Sequence, residues 1–442
     1  MASSIYWFRN DLRITDNPAL KEACSNSDSL LPIYIHQAYM ERETRWGFPR
    51  VGKQRRAFTQ ESLQDLRAEL MNMGSNLVEL NGDCVEVFIK LRAQFNIRII
   101  YCEHIEAPEE LDQIATLIKA GFEIRAKWQS SMLDLNSLPF SLEVVPDVFT
   151  QFRQQIERHK LRFCPPLDAP IVFPPLPNNC AYVNEFVSLD WETQSKKAKS
   201  TAHLTSTLNI SSTLADRTNQ NSFEGGERKA LAHLNQYFKR RLPDTYKKTR
   251  NELIGMDYSS KFSPWLATGC CSARTIAKRL SDYELEYGAN DGTYWLWFEL
   301  LLRDYFRFLH FKYGNKLYHS RGLGTQPCNE FNVRKFRHWS TGTTGETLVD
   351  AGMRELLLTG YLSNRMRQVV ASYWIYNLNC DWRAGAAWFE SQLIDYDVYS
   401  NQGNWLYIAG KGTDPRGGRQ FNVAKQAQDH DPHGTYRKIW LD

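Results

Sequence analysis

No run of apolar residues in this 442-residue chain approaches the length of a bilayer span, which argues against a helical membrane protein. Cysteines are few and unordered: nine, with no CxxC pair and only Cys270 and Cys271 adjacent. That spacing offers neither a disulfide framework nor a zinc site, and no metal site is expected. An odd count in a long chain points to reduced thiols and a cytoplasmic setting. No signal or transit peptide is evident, because residues 5–8 already read as a core strand, so the mature chain is expected to begin at its fold. The surplus of positive charge is slight, +4 from 54 basic and 50 acidic residues, and implies nucleic-acid binding only through a local basic groove. The fingerprint GxGxxG does not follow the first strand, which argues against a nicotinamide-binding domain. Internal repeats are missing. So is any His–Asp or Cys–His constellation for acid–base or nucleophilic catalysis.

What the chain does have is length and aromatic rings. At this size two domains are expected, and 42% apolar residues supply ample core. The 13 Trp, 21 Tyr and 23 Phe fit a large helical core, or a site that stacks a flat ligand. Residues 1–130 alternate strand-like segments (5–8, 30–35, 77–80, 97–102 and 122–125) with helical spacing such as Phe58, Leu63, Leu66 and Leu70. This predicts a doubly wound, Rossmann-like parallel α/β sheet. Residues 131–222 lose the pattern and read as an interdomain linker, with prolines near 165–177 and a Ser/Thr-rich stretch at 193–222. Within it, Lys196–Lys199 suits a solvated loop better than a DNA contact. Residues 223–442 turn helical: Leu231, Leu234 and Phe238 share one face, and a run over 294–311 carries Trp295, Phe298, Leu302 and Tyr305. An all-α second domain follows.

Two windows are unusually dense. Residues 381–407 hold three Trp, four Tyr or Phe and the group Asp395–Tyr396–Asp397; SNRMRQ at 363–368 precedes them. Aromatics beside facing carboxylates and guanidiniums suit a large, flat, polar-edged cofactor that takes up electrons. In order along the chain stand YWFRNDLRITDNPAL, GGE at 225–227, YKKTRN at 246–251, YSSKFSPWLATG at 258–269, WFELLLRDYFRF at 297–308, LIDYDVYSNQGNW and HGTYRKIW. This series resembles the photolyase/cryptochrome family across essentially the whole chain, and most of all its DASH-type cryptochromes.

The resemblance implies FAD in the helical domain. Tyr246, Ser259, Ser260, Lys261, Phe262 and Ser263 would hold its diphosphate and ribityl groups, although small hydroxyl residues before Pro264 equally suit an ordinary Ser-capped helix. Arg303 would help hold the cofactor, with Glu299 one turn before it facing a lesion or the adenine, although such a spacing is often a plain surface ion pair. Asn364 would stand opposite flavin N5, as a neutral amide that can accept from N5–H. Asp395 and Asp397 would pair with Arg367 and, with Tyr396, border the ring system. Leu302, Arg365, Gln368 and Tyr407 would meet the damaged bases. Relatives carry Trp at the position of Leu302, so stacking worth roughly 1–3 kcal/mol is missing. Trp405 and Trp382 match the inner and middle members of an electron-transfer chain; alone they would be core residues. The outer member falls near Cys328–Asn329, and no Trp occurs between 298 and 338, leaving Tyr373 or Trp374 to close the chain. An antenna, 5,10-methenyltetrahydrofolate, would sit between the domains near Glu106, with Glu103 the next choice.

The activity so implied is light-driven repair of cyclobutane pyrimidine dimers, preferably in single-stranded DNA, by a monomer. RNA is a further candidate partner. The alternative is a blue-light photoreceptor that binds nucleic acid without repair. Against it, no long signalling tail follows HGTYRKIWLD.

Overall fold

The computed structural model describes residues 3–178 and 223–441. The polar stretch 193–222, including Lys196–Lys199, lies outside the described residues. The first domain is built on five parallel strands in the order β3-β2-β1-β4-β5. These are β1 (Ser3–Phe8), β2 (Ser29–Gln37), β3 (Val78–Gly82), β4 (Ile99–Glu103) and β5 (Glu123–Lys127). Central β1 pairs Ile5 with Leu31 on one side and with Ile100 on the other. Helices α1 (Pro18–Asn26), α2 (Lys53–Asn72), α3 (Cys84–Phe95) and α4 (Pro108–Lys119) make the crossovers. The two-residue period of β1 sends Ile5 and Trp7 into a core with β2, β3 and α3, while Tyr6 and Phe8 enter a core shared with the second domain. All five strands fall where the sequence placed them, within a residue or two at each end.

The second domain is helical: α6 (Glu227–Lys239), α7 (Tyr246–Thr249), α8 (Ser263–Thr268), α9 (Ala273–Tyr287), α10 (Asp291–Tyr313), α11 (Val333–Ser340), α12 (Thr347–Thr359), α13 (Asn364–Ser372), α14 (Trp382–Gln392), α15 (Val398–Ala409), α16 (Val423–His430) and α17 (Thr435–Leu441). Between the domains runs α5 (Phe149–Arg158), whose Phe152 and Ile156 are fully buried in the shared core. Part of the stretch read as linker is therefore packed structure.

The axis of the helical domain is α10. It begins three residues earlier than the apolar pattern showed, because Asn290 and Thr293 form a reciprocal capping box. Its buried Asp304 accepts from the amides of Met132 (2.9 Å) and Leu133 (2.8 Å), tying the helix to the first domain. At the opposite face Glu227 accepts from the amides of Ile14 and Thr15, and Arg274 pairs with Asp16 at 2.9 Å. Phe48, from the loop after β2, is fully buried in the helical core against Phe336 and Trp388. After α8 the chain turns at Gly269 (φ 72°), where a Cβ would fall on the backbone of Asn10. Only glycine allows that approach.

Candidate functional site

The ends of α7, α8, α13 and α15 and the middle of α10 enclose a chamber of about 280 Å³. The segment before α8 forms one wall. Its turn requires a positive φ at Lys261 (56°), and His233 fixes it through a hydrogen bond between its ring nitrogen and the Ser260 carbonyl (2.8 Å). The simple reading of a Ser-capped helix fails here. The residue before α8 is Phe262, no side chain caps the helix, and the Ser263 hydroxyl donates instead to Asp395 Oδ2 at 2.6 Å.

Lys261 is 3% exposed, and its ammonium lies 3.6 Å from the Tyr258 ring centre and 4.6 Å from that of Tyr361. Burial lowers it to about 7, against the pull of Glu355. Glu355 itself is pushed up to about 7 by burial, opposed first by its bond from the Tyr436 hydroxyl. A buried cation without an ion pair, beside free serine-rich backbone, is a place for an anion.

The opposite wall is ionic. Arg367 donates to Asp395 Oδ2 at 2.7 Å, while Asp395 Oδ1 is buried and has no partner. Such an orphaned oxygen calls for a donor from a ligand. Asp397 does not pair with Arg367, as the sequence suggested. It caps α15 by accepting from the Ser400 amide (2.8 Å) and binds Arg307 at 2.5 Å. The physical reason is direction. Arg307 lies one turn beyond Arg303 on α10 and is 2% exposed on its side chain, so Asp397 is the counter-charge it needs. Burial would raise Asp397, but Arg307 and then Arg303 hold it at about 2. Arg303 is lowered to about 10 by burial and by Arg307, and it donates to the Ser130 carbonyl.

All twelve residues expected around the cofactor line this chamber: Tyr246, Ser259, Ser260, Lys261, Phe262, Ser263, Arg303, Asn364, Arg367, Asp395, Tyr396 and Asp397. Trp405 borders it as well. Trp382 does not; it borders a cleft of about 390 Å³ between the domains, its indole donating to the Ser320 carbonyl. Sequence reasoning missed Asn401, Asn404 and Phe389, which also line the chamber. Asn401 is one turn before Trp405 on α15. Its Nδ2 donates to the Ala386 carbonyl at 3.1 Å, leaving Oδ1 as its free acceptor. Helical spacing from Trp405 and Asp397 was the available signal.

A second chamber of about 630 Å³ adjoins the first and shares Arg250, Glu299, Asn364, Gln368 and Asn404 with it. Trp295, Phe298, Leu302 and Tyr407 give it an aromatic and apolar wall. Glu299 pairs with Arg250, whose guanidinium lies 4.4 Å from the Trp295 ring. Burial raises Glu299, with Arg250 opposing. Arg365 is not in this wall. It points toward Asn251 (3.1 Å) and Phe421, since it follows Asn364 by 100° around α13.

Glu106 borders neither the interdomain cleft nor the two chambers; His104 holds its carboxylate at 2.8 Å, and its amide donates to the Tyr399 hydroxyl. Glu103 is 2% exposed, deep beside Arg9, and burial raises it to about 8. The carboxylates that reach the cleft are Glu109 and Glu110, at the start of α4, with Arg50 bridging Glu109 (2.6 Å) and Glu390 (2.8 Å). Among the described residues no group of three or more His, Cys, Asp or Glu could hold a metal, and no helix is long and apolar enough to cross a membrane.

This architecture has close counterparts. Residues 4–172 match the family model described as DNA photolyase, and residues 295–442 match that described as the FAD binding domain of DNA photolyase. The chain belongs to the photolyase/cryptochrome family of flavoproteins. Cryptochrome DASH of Synechocystis is 43% identical over 99% of this chain and 87% of its own length; that of Xenopus laevis is 40% identical over 98% and 81%. A crystal structure of Synechocystis cryptochrome superimposes with a TM-score of 0.87 at 41% identity, covering 100% of this chain and 89% of that one. An archaeal photolyase from Sulfolobus tokodaii, described with two FAD molecules, gives 0.71 at 25% identity, covering 100% and 90%. Within the family the chain falls in the cryptochrome DASH group.

The first chamber fits FAD by the chemistry of its lining: the serine-rich turn with its buried cation suits a diphosphate, and Arg367, Asp395 and the side-chain amides of α15 suit the polar edge of a ring system.

Proposed function

We propose that this chain is a light-driven lyase that splits cyclobutane pyrimidine dimers, preferably in single-stranded DNA. The observation that carries this reading is the pair of adjoining chambers, one suited to flavin and the other walled by Trp295, Phe298 and Tyr407. Bound reduced flavin would supply the photo-excited electron. The two adjacent bases of the dimer are turned out of the stack together to enter such a pocket, at least cost from single strands. The shared rim of Asn364, Gln368 and Asn404 presents amide donors and acceptors to a dimer's carbonyls and imides. Glu299, held by Arg250, offers a carboxylate acceptor from the same rim. The apolar wall keeps water from the reacting bases. Ring opening needs no general acid or base, in keeping with the lack of a catalytic dyad.

The neutral amide opposite flavin N5 is assigned to Asn401 in preference to Asn364. Asn401 has its Nδ2 occupied and Oδ1 free, whereas Asn364 stands at the rim of both chambers. The interdomain cleft takes a folate antenna, with Glu109 and Glu110 in place of Glu106 as the carboxylates near its pterin.

One feature favours the second reading, a photoreceptor that binds nucleic acid without repairing it. Leu302 lines the outer chamber where an indole would stack on a base. Repair of a dimer-containing oligonucleotide under blue light decides between them. Loss of the dimer supports the lyase, and binding without loss supports the photoreceptor.

A further inference from the structure

The tryptophan chain drawn from the sequence has a gap at its outer end. Cys328 stands there, part-buried, its thiol 3.0 Å from Asp381 Oδ1. Of the two aromatics considered for that place, Tyr373 is half-buried. Trp374 is fully buried and stands at the inner end, next to Trp405. Gly385, on α14, separates the two indoles. A Cβ at that position would fall on Trp405 Cη2 and lie 2.9 Å from Trp374 Cδ1, so both indoles crowd the same glycine. Any larger residue at 385 would push the rings apart.

Beyond Trp374 lies a second indole, Trp339, with ring centres 5.0 Å apart and planes inclined by 34°. Both are fully buried. Their N–H groups donate to backbone carbonyls, Trp374 to Asp381 (2.8 Å) and Trp339 to Val370 (3.0 Å). A carbonyl facing an indole N–H stabilises positive charge on that ring, and the bond strengthens when the donor is charged. A carbonyl is also too weak a base to take the proton.

Resting on the assignment of the first chamber to flavin, we infer that Trp374 is an electron donor to Trp405, forming with Trp339 a second branch beside Trp382. Light drives one electron from Trp405 to the chromophore. Trp374 then gives one electron to the oxidised Trp405, restoring it, and the deficit is shared by the Trp374–Trp339 pair. No bond breaks and no proton leaves, so the oxidised pair persists as a protonated radical cation. It refills by return of the electron, or by one-electron oxidation of an exogenous thiolate to a thiyl radical.

The test is flash photolysis of the flavin-loaded protein with dithiothreitol, read by transient absorption and time-resolved electron paramagnetic resonance. Wild type, Trp382→Phe, Trp374→Phe and the double variant are compared, with near-ultraviolet circular dichroism and melting as checks on folding. The branch predicts a protonated tryptophan radical surviving in Trp382→Phe and lost in the double variant. Loss of all radical signal in Trp382→Phe alone, or equal signal in the single and double variants, overturns it. If Trp374→Phe fails to fold, Trp339→Phe in the Trp382→Phe background is read instead: a shortened radical lifetime supports the pair, and an unchanged one overturns it. A wild-type protein purified without flavin overturns the chamber assignment and the branch together. Flavin present with the radical confined to Trp382 overturns the branch alone.

Discussion

Asp397→Asn isolates the ionic wall of the chamber. Asparagine caps a helix about as well as aspartate, so the N-terminus of α15 is kept and only the charge is removed. Arg307 then stays buried, its side chain 2% exposed, with only weak neutral acceptors: the Ser130 hydroxyl at 3.3 Å and the Arg303 carbonyl at 3.4 Å. Stranding a buried charge costs about 3–5 kcal/mol. The lower end of that range gives an expected cost of about 3 kcal/mol. With about 2–4 °C per kcal/mol for a domain of this size, the melting midpoint of the flavin-free protein should fall by about 6–12 °C. The sign of the pH dependence follows from Asp397 being held at about 2, below its ordinary value near ~3.9. Its contribution is fully present above the unfolded value and disappears as pH falls from ~4 to ~2. The gap between variant and wild type should therefore be flat from pH 5 to 7 and close in acid. Asp257→Asn, which breaks a half-exposed pair with Arg240, should move the midpoint far less. A drop no larger than that of this control, or a gap that does not close in acid, would refute the reasoning.

Lys261→Met should make the flavin-free protein more stable at pH 7, because a cation lowered to about 7 costs stability increasingly as pH falls from ~10.4, and it should weaken flavin retention. Melting with and without added FAD reads both effects, and tighter retention would contradict the anion site. Asn401→Asp should change which flavin redox state accumulates under light, whereas Asn364→Asp should act mainly on dimer binding; absorption spectra and oligonucleotide titration separate the two, and the reverse pattern would restore Asn364 to N5. Leu302→Trp should tighten binding of dimer-containing oligonucleotides by about 1–3 kcal/mol, and no gain would remove Leu302 from the lesion wall.

The α/β domain was legible because its central strands β1, β2 and β4 are short, largely buried apolar runs, while β3 and the edge strand β5 are more exposed and were marked by their spacing. The chamber was legible for a different reason: its residues are crowded into contiguous segments, 258–263, 363–368 and 395–397, which fold as one wall each. What was not legible depends on direction. Arg307 takes Asp397 because successive turns of α10 carry Arg303 and Arg307 down one face, and a reading centred on Glu299 and Arg303 stopped one turn short. Trp374 reads as the end of a chain in sequence, yet it lies at the π-helical turn Tyr373–Asn377 and shares with Trp405 the space beside Gly385. Such contacts are set by packing between segments well separated along the chain, which no local period encodes.

The most direct test of the account is repair of a thymine-dimer single-stranded oligonucleotide by the purified, photoreduced protein under blue light, with an absorption spectrum taken first. The account predicts a flavin spectrum and light-dependent loss of the dimer. A flavin-loaded protein that binds the oligonucleotide and leaves the dimer intact would contradict it.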